Sequence, residues 1–244
     1  MNATTVAVDL AKEVIELAVA DGAGRVVERR RVGRKAFSVF LATHPKSRMV
    51  MEACGGAHHW ARVAQAAGHD VRLLPAQYVR PYRRRNKTDR ADCAALREAL
   101  RNPEIVPVPV KHAQAQAIQG LHRIRSQWMA TRTARSNVLR GLWREFGLVL
   151  PVGAVRALKL LPEAIADAAV PAALHASLHD LLVETRALDA RIIAVERQLG
   201  ALMREVPAVE RLRLVSNLGL LTATALYASA GDAKHFKHGR QLAA

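Results

Sequence analysis

Acidic side chains are scarce in this chain, cysteines scarcer, and long apolar runs are missing. Its 21 Asp and Glu stand against 37 Lys and Arg, a formal net charge of +16 over 244 residues. Such a field draws polyanions, nucleic acid ahead of an anionic membrane surface. Most of the cations are arginines, whose planar fork suits phosphate better than an ammonium does. The two cysteines, Cys54 and Cys93, are too few for a disulfide framework and have no partners at zinc-ligand spacing. They fit a reducing cytoplasm, which is the expected location. The longest weakly polar run, Gly219 to Gly231, is short of the ~20 residues needed to span a bilayer. Met1 to Thr5 shows no basic region leading into an apolar stretch, so neither export nor a membrane partner is expected. A glycine-rich phosphate loop followed by Lys-Ser or Lys-Thr is also lacking, which argues against an actin-like or sugar-kinase ATPase.

Half of the residues are apolar, enough for one large core or two ordinary ones. Thr5 to Lys12 reads as a short buried strand that delivers Asp9 near its end. Val14 to Ala20 and Arg25 to Val32 flank the turn Asp21-Gly22-Ala23-Gly24, a hairpin pattern. Lys35 to Thr43 predicts a short helix with Phe37, Phe40 and Leu41 inward. Arg48 to Glu52 predicts a strand ending in an acid, His58 to Ala67 a helix closed by Gly68, and Val71 to Pro75 another strand. This order implies an α/β layer fold with a mixed sheet, in which functional residues gather at strand ends. Asp9 and Glu52 both fall there. The proline-rich stretch Asn102 to Pro109 cannot continue a helix and marks a boundary, giving a first domain over residues 1–105.

From His112 to Phe146 there is no proline, and the composition becomes helical. On a helical projection Arg125, Arg132 and Arg135 share a face with Leu121, Trp128, Leu139 and Phe146. Either these arginines neutralise acids on a partner element or that face meets phosphates. Leu174, Leu178, Leu181, Thr185, Leu188, Ile192, Val195, Leu199 and Leu202 follow alternating steps of four and three, a heptad seam. The seam must bury against His112 to Phe146 folded back, or against a second subunit, a homo-oligomer being the favoured outcome. A helical coiled-coil domain over 111–206 follows, and 207–244 is expected to be the start of an incomplete C-terminal domain.

Lys87-Thr88-Asp89-Arg90-Ala91-Asp92 stands directly behind the basic run Arg80 to Arg85. Asp89 and Asp92 are three apart at the start of a predicted helix, so both can face one spot. Two acids there repel each other unless a divalent cation is shared between them, although helix capping explains acids at this position equally well.

Taken together, Val8-Asp9-Leu10-Ala11-Lys12, Met51-Glu52-Ala53-Cys54-Gly55-Gly56 and Lys87 to Asp92 resemble the DEDD transposases of the IS110 insertion-sequence family, relatives of the pilin-gene DNA invertases. The resemblance covers essentially the whole chain. It implies a RuvC-like (RNase H-like) N-terminal domain, a helical coiled-coil insertion and the beginning of a C-terminal transposase domain. By motif the family's catalytic and metal-binding acids fall on Asp9, Glu52, Asp89 and Asp92, which would hold two Mg²⁺ ions. Lys12, Arg83, Arg84, Arg85, Lys87 and Arg90, with Arg125, Arg132 and Arg135, are the expected nucleic-acid-binding cations. DNA and a structured guide RNA are the partners the resemblance implies. Three positions depart from the family pattern: Cys54, Cys93 and Asn217. The family's serine nucleophile lies in its C-terminal domain; Ser216 and Ser229 match no nucleophile motif, and neither is nominated.

The expected function is therefore Mg-dependent DNA strand cleavage and transfer that mobilises an insertion sequence, with a chain expected to be partial, or inactive alone, for want of that serine. The alternatives are a RuvC-like junction nuclease working with the four acids alone, and a non-catalytic remnant that binds nucleic acid.

Overall fold

The computed structural model describes residues 4–83, 89–149, 160, 169–230, 236 and 238–240, with Asp89 described by its backbone. These residues form two compact units, Met1–His112 and Ala113–Ala244.

The first unit is built on five strands: β1 (Thr5–Leu10), β2 (Val14–Ala20), β3 (Val26–Gly33), β4 (Arg48–Glu52) and β5 (Asp70–Leu74). Their order in the sheet is β3-β2-β1-β4-β5. The hairpin pairings β1–β2 and β2–β3 are antiparallel, while β4 joins β1, and β5 joins β4, in parallel. Parallel neighbours need crossovers, and helices α1 (Arg34–Thr43) and α2 (Ala57–Ala66) supply them. At the β2–β3 turn the Asp21 carboxylate accepts the backbone N–H of Ala23 and Arg25, and Gly24 takes a positive φ of 80°. Only glycine adopts that conformation without strain.

Both faces of the sheet are covered, which is why β1 and β2 read as near-continuous apolar runs. On one face Val6, Val8, Ile15, Leu17, Met49 and Met51 pack with Phe37, Leu41 and Trp60 of α1 and α2. On the other face Ala7, Ala18, Val50 and Leu74 pack against Cys93, Ala95, Leu96 and Ala99 of α4 (Asp89–Leu100). A short helix α3 (Ala76–Val79) and a 3₁₀ turn (Arg80–Tyr82) lead from β5 toward it. The edge strand β3 carries Glu28-Arg29-Arg30-Arg31, and a charged edge discourages pairing with another chain.

The first unit runs on past the expected boundary at residue 105. Val108 forms an isolated antiparallel bridge to Leu73, its N–H donating to the Leu73 carbonyl at 2.7 Å, and Val108 and Val110 pack on the sheet core. The prolines there forbid an interior strand but leave one N–H free to cover the exposed edge of β5.

The second unit centres on two 33-residue helices, α5 (Ala113–Glu145) and α6 (Ala172–Arg204). They run antiparallel: Leu139 and Trp143 pack with Leu178 and Leu182, while Ile118 packs with Val195 and Leu199. The seam thus closes on His112 to Phe146 within the chain, the first of the two outcomes read from the heptads. Leu182 and Met203 are buried where Leu181 and Leu202 stood in the heptad reading, and the latter two are half-buried. Two short helices, α7 (Pro207–Arg213) and α8 (Leu220–Ala230), complete the unit. Val209 and Ala223 pack with Met203, and Ala228 with Ile118, Val195 and Leu199. The described part of 207–244 is therefore continuous with the helical unit. So few residues have too little apolar surface to close a core alone.

Candidate active site

Strand alternation decides where the first two acids go. Val8 faces the α1–α2 core and Ala7 faces α4, so Asp9, two residues after Ala7, lies on the α4 side. The same step takes Glu52 to that side, because Val50 faces α4 and Met51 does not. β1 and β4 are parallel and in register up to Val8↔Met51, so Asp9 and Glu52 leave the sheet as neighbours.

The third acid comes from above. Cys93 is buried, and its Sγ lies 3.8 Å from the carbonyl oxygen of Ala7 and 3.5 Å from that of Glu16. This seats the first turn of α4, with Asp92, over the end of β1. Asp89 is the first residue of that helix, as the sequence predicts, and its side chain lies outside the described residues.

One arginine ties the group together. An Arg83 Nη2 donates to Glu52 Oε2 at 2.5 Å, and Arg83 Nε stands 2.8 Å from Asp92 Oδ1. The second contact is an ion pair by distance, but its alignment does not make a hydrogen bond, and the buried Asp92 Oδ1 accepts none. A buried carboxylate oxygen left in that state retains a lone pair for a cation.

The two thiols report the same negative edge. Cys54 is held above the usual thiol range by burial first and then by Glu52 and Asp9. Cys93 is pushed up to about 12, again by burial first, with Asp9 next. Both thiols are therefore protonated at neutral pH and are poor nucleophiles. Cys93 is the small buried side chain the sequence reading expects, and Cys54 is only half-buried.

A further acid belongs to this edge and escaped the motif reading. Glu16 on β2 is the cross-strand partner of Asp9, and Arg31 on β3 is in turn the partner of Glu16. Glu52, Asp9, Glu16 and Arg31 thus occupy adjoining positions on four neighbouring strands. The available signal was one carboxylate in an otherwise apolar strand, Val14-Ile15-Glu16-Leu17.

The expected cations divide into four groups. Arg83 is engaged by the acids as described. Lys12 is exposed in the β1–β2 turn, where its carbonyl accepts from Arg34 Nη1 at 3.4 Å, and Arg90 is exposed on the first turn of α4. Arg84, Arg85 and Lys87 lie outside the described residues. In the helical unit Arg125 pairs with Glu196 at 2.7 Å, Arg132 with Asp189 at 2.6 Å and Arg135 with Glu184 at 3.0 Å. Neutralising acids on a partner element, the first of the two readings given for these arginines, is what the geometry displays. It gives no support to a phosphate role for that face.

Among the described residues no three His, Cys, Asp or Glu side chains form a ready metal cluster. The donor set is nonetheless suited to a hard divalent cation: carboxylates from two strand ends and a helix start, one with a buried oxygen lacking a hydrogen bond. No helix among the described residues is long and apolar enough to cross a membrane.

Comparison with known proteins agrees with these motifs. The family profile for the DEDD transposases of IS110-type elements, described as a transposase, matches residues 6–147, more than half of the chain. A probable family 20 transposase of Pseudomonas aeruginosa is 41% identical over 247 residues, covering 100% of this chain and 73% of the relative. The transposase for insertion sequence element IS1111A of Coxiella burnetii is 36% identical, over 97% of this chain and 66% of its own length. The transposase for element IS1328 of Yersinia enterocolitica is 31% identical, over 100% of this chain and 72% of its own length. With three acids of the motifs on one edge of a mixed sheet and similarity to these relatives along its whole length, this chain belongs to the IS110 family of DEDD transposases.

Proposed function

We propose that this chain carries the acidic centre of a DNA strand-cleavage and transfer site, in which Asp9, Glu52, Asp89 and Asp92 hold two Mg²⁺ ions. The observation that best supports the reading is the meeting of Asp9, Glu52 and Asp92 on the α4 side of the sheet, with Glu52 and Asp92 sharing one guanidinium. Divalent cations bound there would polarise a phosphodiester and steady the departing oxygen. The chain's own residues fix where that happens. Asp9 and Glu52 are set by adjoining strands, and Asp92 by the first turn of a helix packed on them, so the carboxylates arrive from rigid elements.

The basic residues serve the phosphates. Lys12 and Arg90 are exposed next to the acidic edge, and Arg84, Arg85 and Lys87 adjoin it in sequence. Contacts of this kind bind backbone without reading bases, which fits a partner whose target is chosen by pairing with a structured RNA. DNA and such a guide RNA are the proposed partners, and the cytoplasm is the proposed location. The homo-oligomer proposed for the family member would use a surface other than the α5–α6 seam. No serine of this chain is nominated as a nucleophile.

Metal binding tests the reading directly. Mn²⁺ titrated into the protein, with free ion followed by electron paramagnetic resonance, is depleted by the wild-type chain. Asp9→Asn and Asp92→Asn leave it free. Equal uptake by all three proteins would sink the assignment.

A further inference from the structure

Arg83 contacts two of the motif acids at once, Glu52 and Asp92. Its side chain is largely withdrawn from solvent, at 29% exposed, and so are those of its partners, at 22% for Glu52 and 13% for Asp92. One guanidinium carries one positive charge, and the two carboxylates carry two negative ones. Asp9 and Glu16 stand on adjoining strand positions, and Arg31 stands opposite Glu16. The buried Asp92 Oδ1 faces the guanidinium without a hydrogen bond, so its contact is electrostatic and is not locked by geometry.

A cation held by charge, imperfectly aligned and outnumbered by its counter-charges, is one that a denser cation can replace. A Mg²⁺ ion puts two charges within about 2.0–2.1 Å of carboxylate oxygens, closer than the guanidinium nitrogens of Arg83 stand. We propose that Arg83 is a resident counter-ion that sets the cation affinity of this site: it holds Glu52 and Asp92 together in the metal-free protein and must vacate both carboxylates for a divalent ion to be bound. The inference rests on the assignment of Glu52 and Asp92 as metal ligands. It adds to that assignment an internal competitor, so that the site binds metal more weakly than its acids alone would.

The competition makes two effects move in opposite directions, which a merely structural arginine would not do. Without the guanidinium the paired acids repel, and the metal-free protein loses stability. With no competitor to displace, the same variant binds metal more tightly. Hydrogen bonds to charged groups are strong enough that losing the bridge is expected to tighten binding by about tenfold.

The experiment is calorimetric titration of Mn²⁺, and separately Mg²⁺, into the wild-type chain, Arg83→Gln, Arg83→Lys and Glu52→Gln, with thermal melting of each before and after metal. The expected result is a dissociation constant for Arg83→Gln about tenfold below wild type. Arg83→Lys, which keeps a charge but cannot span both acids, should fall between. Metal-free Arg83→Gln should melt below wild type and recover most of the difference when Mn²⁺ is added. If Arg83→Gln does not fold, the Lys variant carries the test, and its affinity must exceed wild type. Equal or weaker binding by the folded arginine variants, with binding abolished in Glu52→Gln, would overturn the competitor and leave the metal ligands standing. Absence of metal binding by every folded protein, wild type included, would overturn both.

Discussion

Two regions of the molecule treat arginine–carboxylate pairing in opposite ways. Between α5 and α6 three arginines each have an acid of their own: Arg125 with Glu196, Arg132 with Asp189, Arg135 with Glu184. At the sheet edge one arginine serves two acids, with a third and a fourth carboxylate on the strands beside them. Matched pairs cancel charge, and they ask for nothing further. Two carboxylates on a single guanidinium leave one of their two negative charges unmatched by it, in a partly buried place. The contrast separates arginines that tie two helices together from one that bridges two of the motif acids. The same residue type, on the same chain, has two jobs set by how many acids surround it.

The largest effect should come from the unbalanced side. In a transposase carrying this sequence, Mg-dependent strand cleavage of element-end DNA should fall by roughly a thousandfold in Asp9→Asn or Asp92→Asn, several kcal/mol of transition-state stabilisation. Arg132→Met in the same assay should leave cleavage nearly intact. If both variants lose activity equally, the distinction between the units is wrong.

Next in size is the packing that holds the matched pairs in line. Leu199 is fully buried between α5 and α6, and Leu199→Ala should cost about 3 kcal/mol of stability in denaturant unfolding. A change close to zero would mean the seam is not what holds the hairpin together.

A smaller effect is expected from a matched pair itself. Arg132 and Asp189 are each about a quarter exposed, and a double-mutant cycle with Arg132→Met and Asp189→Leu should return a coupling of about 1 kcal/mol or less. The exchange Arg132→Asp with Asp189→Arg should recover most of the stability. Coupling of several kcal/mol would place this pair with Arg83 and not apart from it.

Smallest is a pH response spread across both units. His44, His58 and His122 are each held below the ordinary value of 6.5, chiefly by burial and then by neighbouring positive charge. Each is neutral in the fold and takes up a proton more readily when unfolded. Their contribution is therefore full above pH 6.5 and declines as pH falls through the lowered folded values. Melting temperatures measured from about pH 7.5 down to 5.5 should drift downward. His122→Gln, which keeps a polar group for Thr224 Oγ1 at 2.9 Å, should flatten part of the drift in the helical unit, and an unchanged slope would discount this histidine.

Much of the first unit was legible because its signals are short-range. The apolar run of Thr5 to Leu10, the turn Asp21 to Gly24 and the apolar positions of Phe37, Phe40 and Leu41 each fix a local element, and all recur in the structure. The limits of the sheet were less legible. Val108 completes the edge of β5 through a single bridge, and no local pattern distinguishes such a residue from linker. In the candidate site, Asp9, Glu52 and Asp92 stood out through their motifs. Glu16 did not, because its place beside Asp9 is a matter of hairpin register. Arg83 was one of a run of basic residues, and nothing in that run tells which guanidinium turns inward.

By itself the sequence determined the five strands, the longer helices, the excess of positive charge and the motif acids, since propensity, periodicity and composition act over a few residues. Tertiary structure alone decided which acids meet, which arginine bridges them, and that the heptad face is buried by α5 of the same chain. Those outcomes depend on groups tens of residues apart: Arg83 reaches Glu52 across 31 residues, and Arg125 reaches Glu196 across 71. Charges brought that close from such separations are placed by the packing of sheet and helices around them, and no local rule along the chain encodes it.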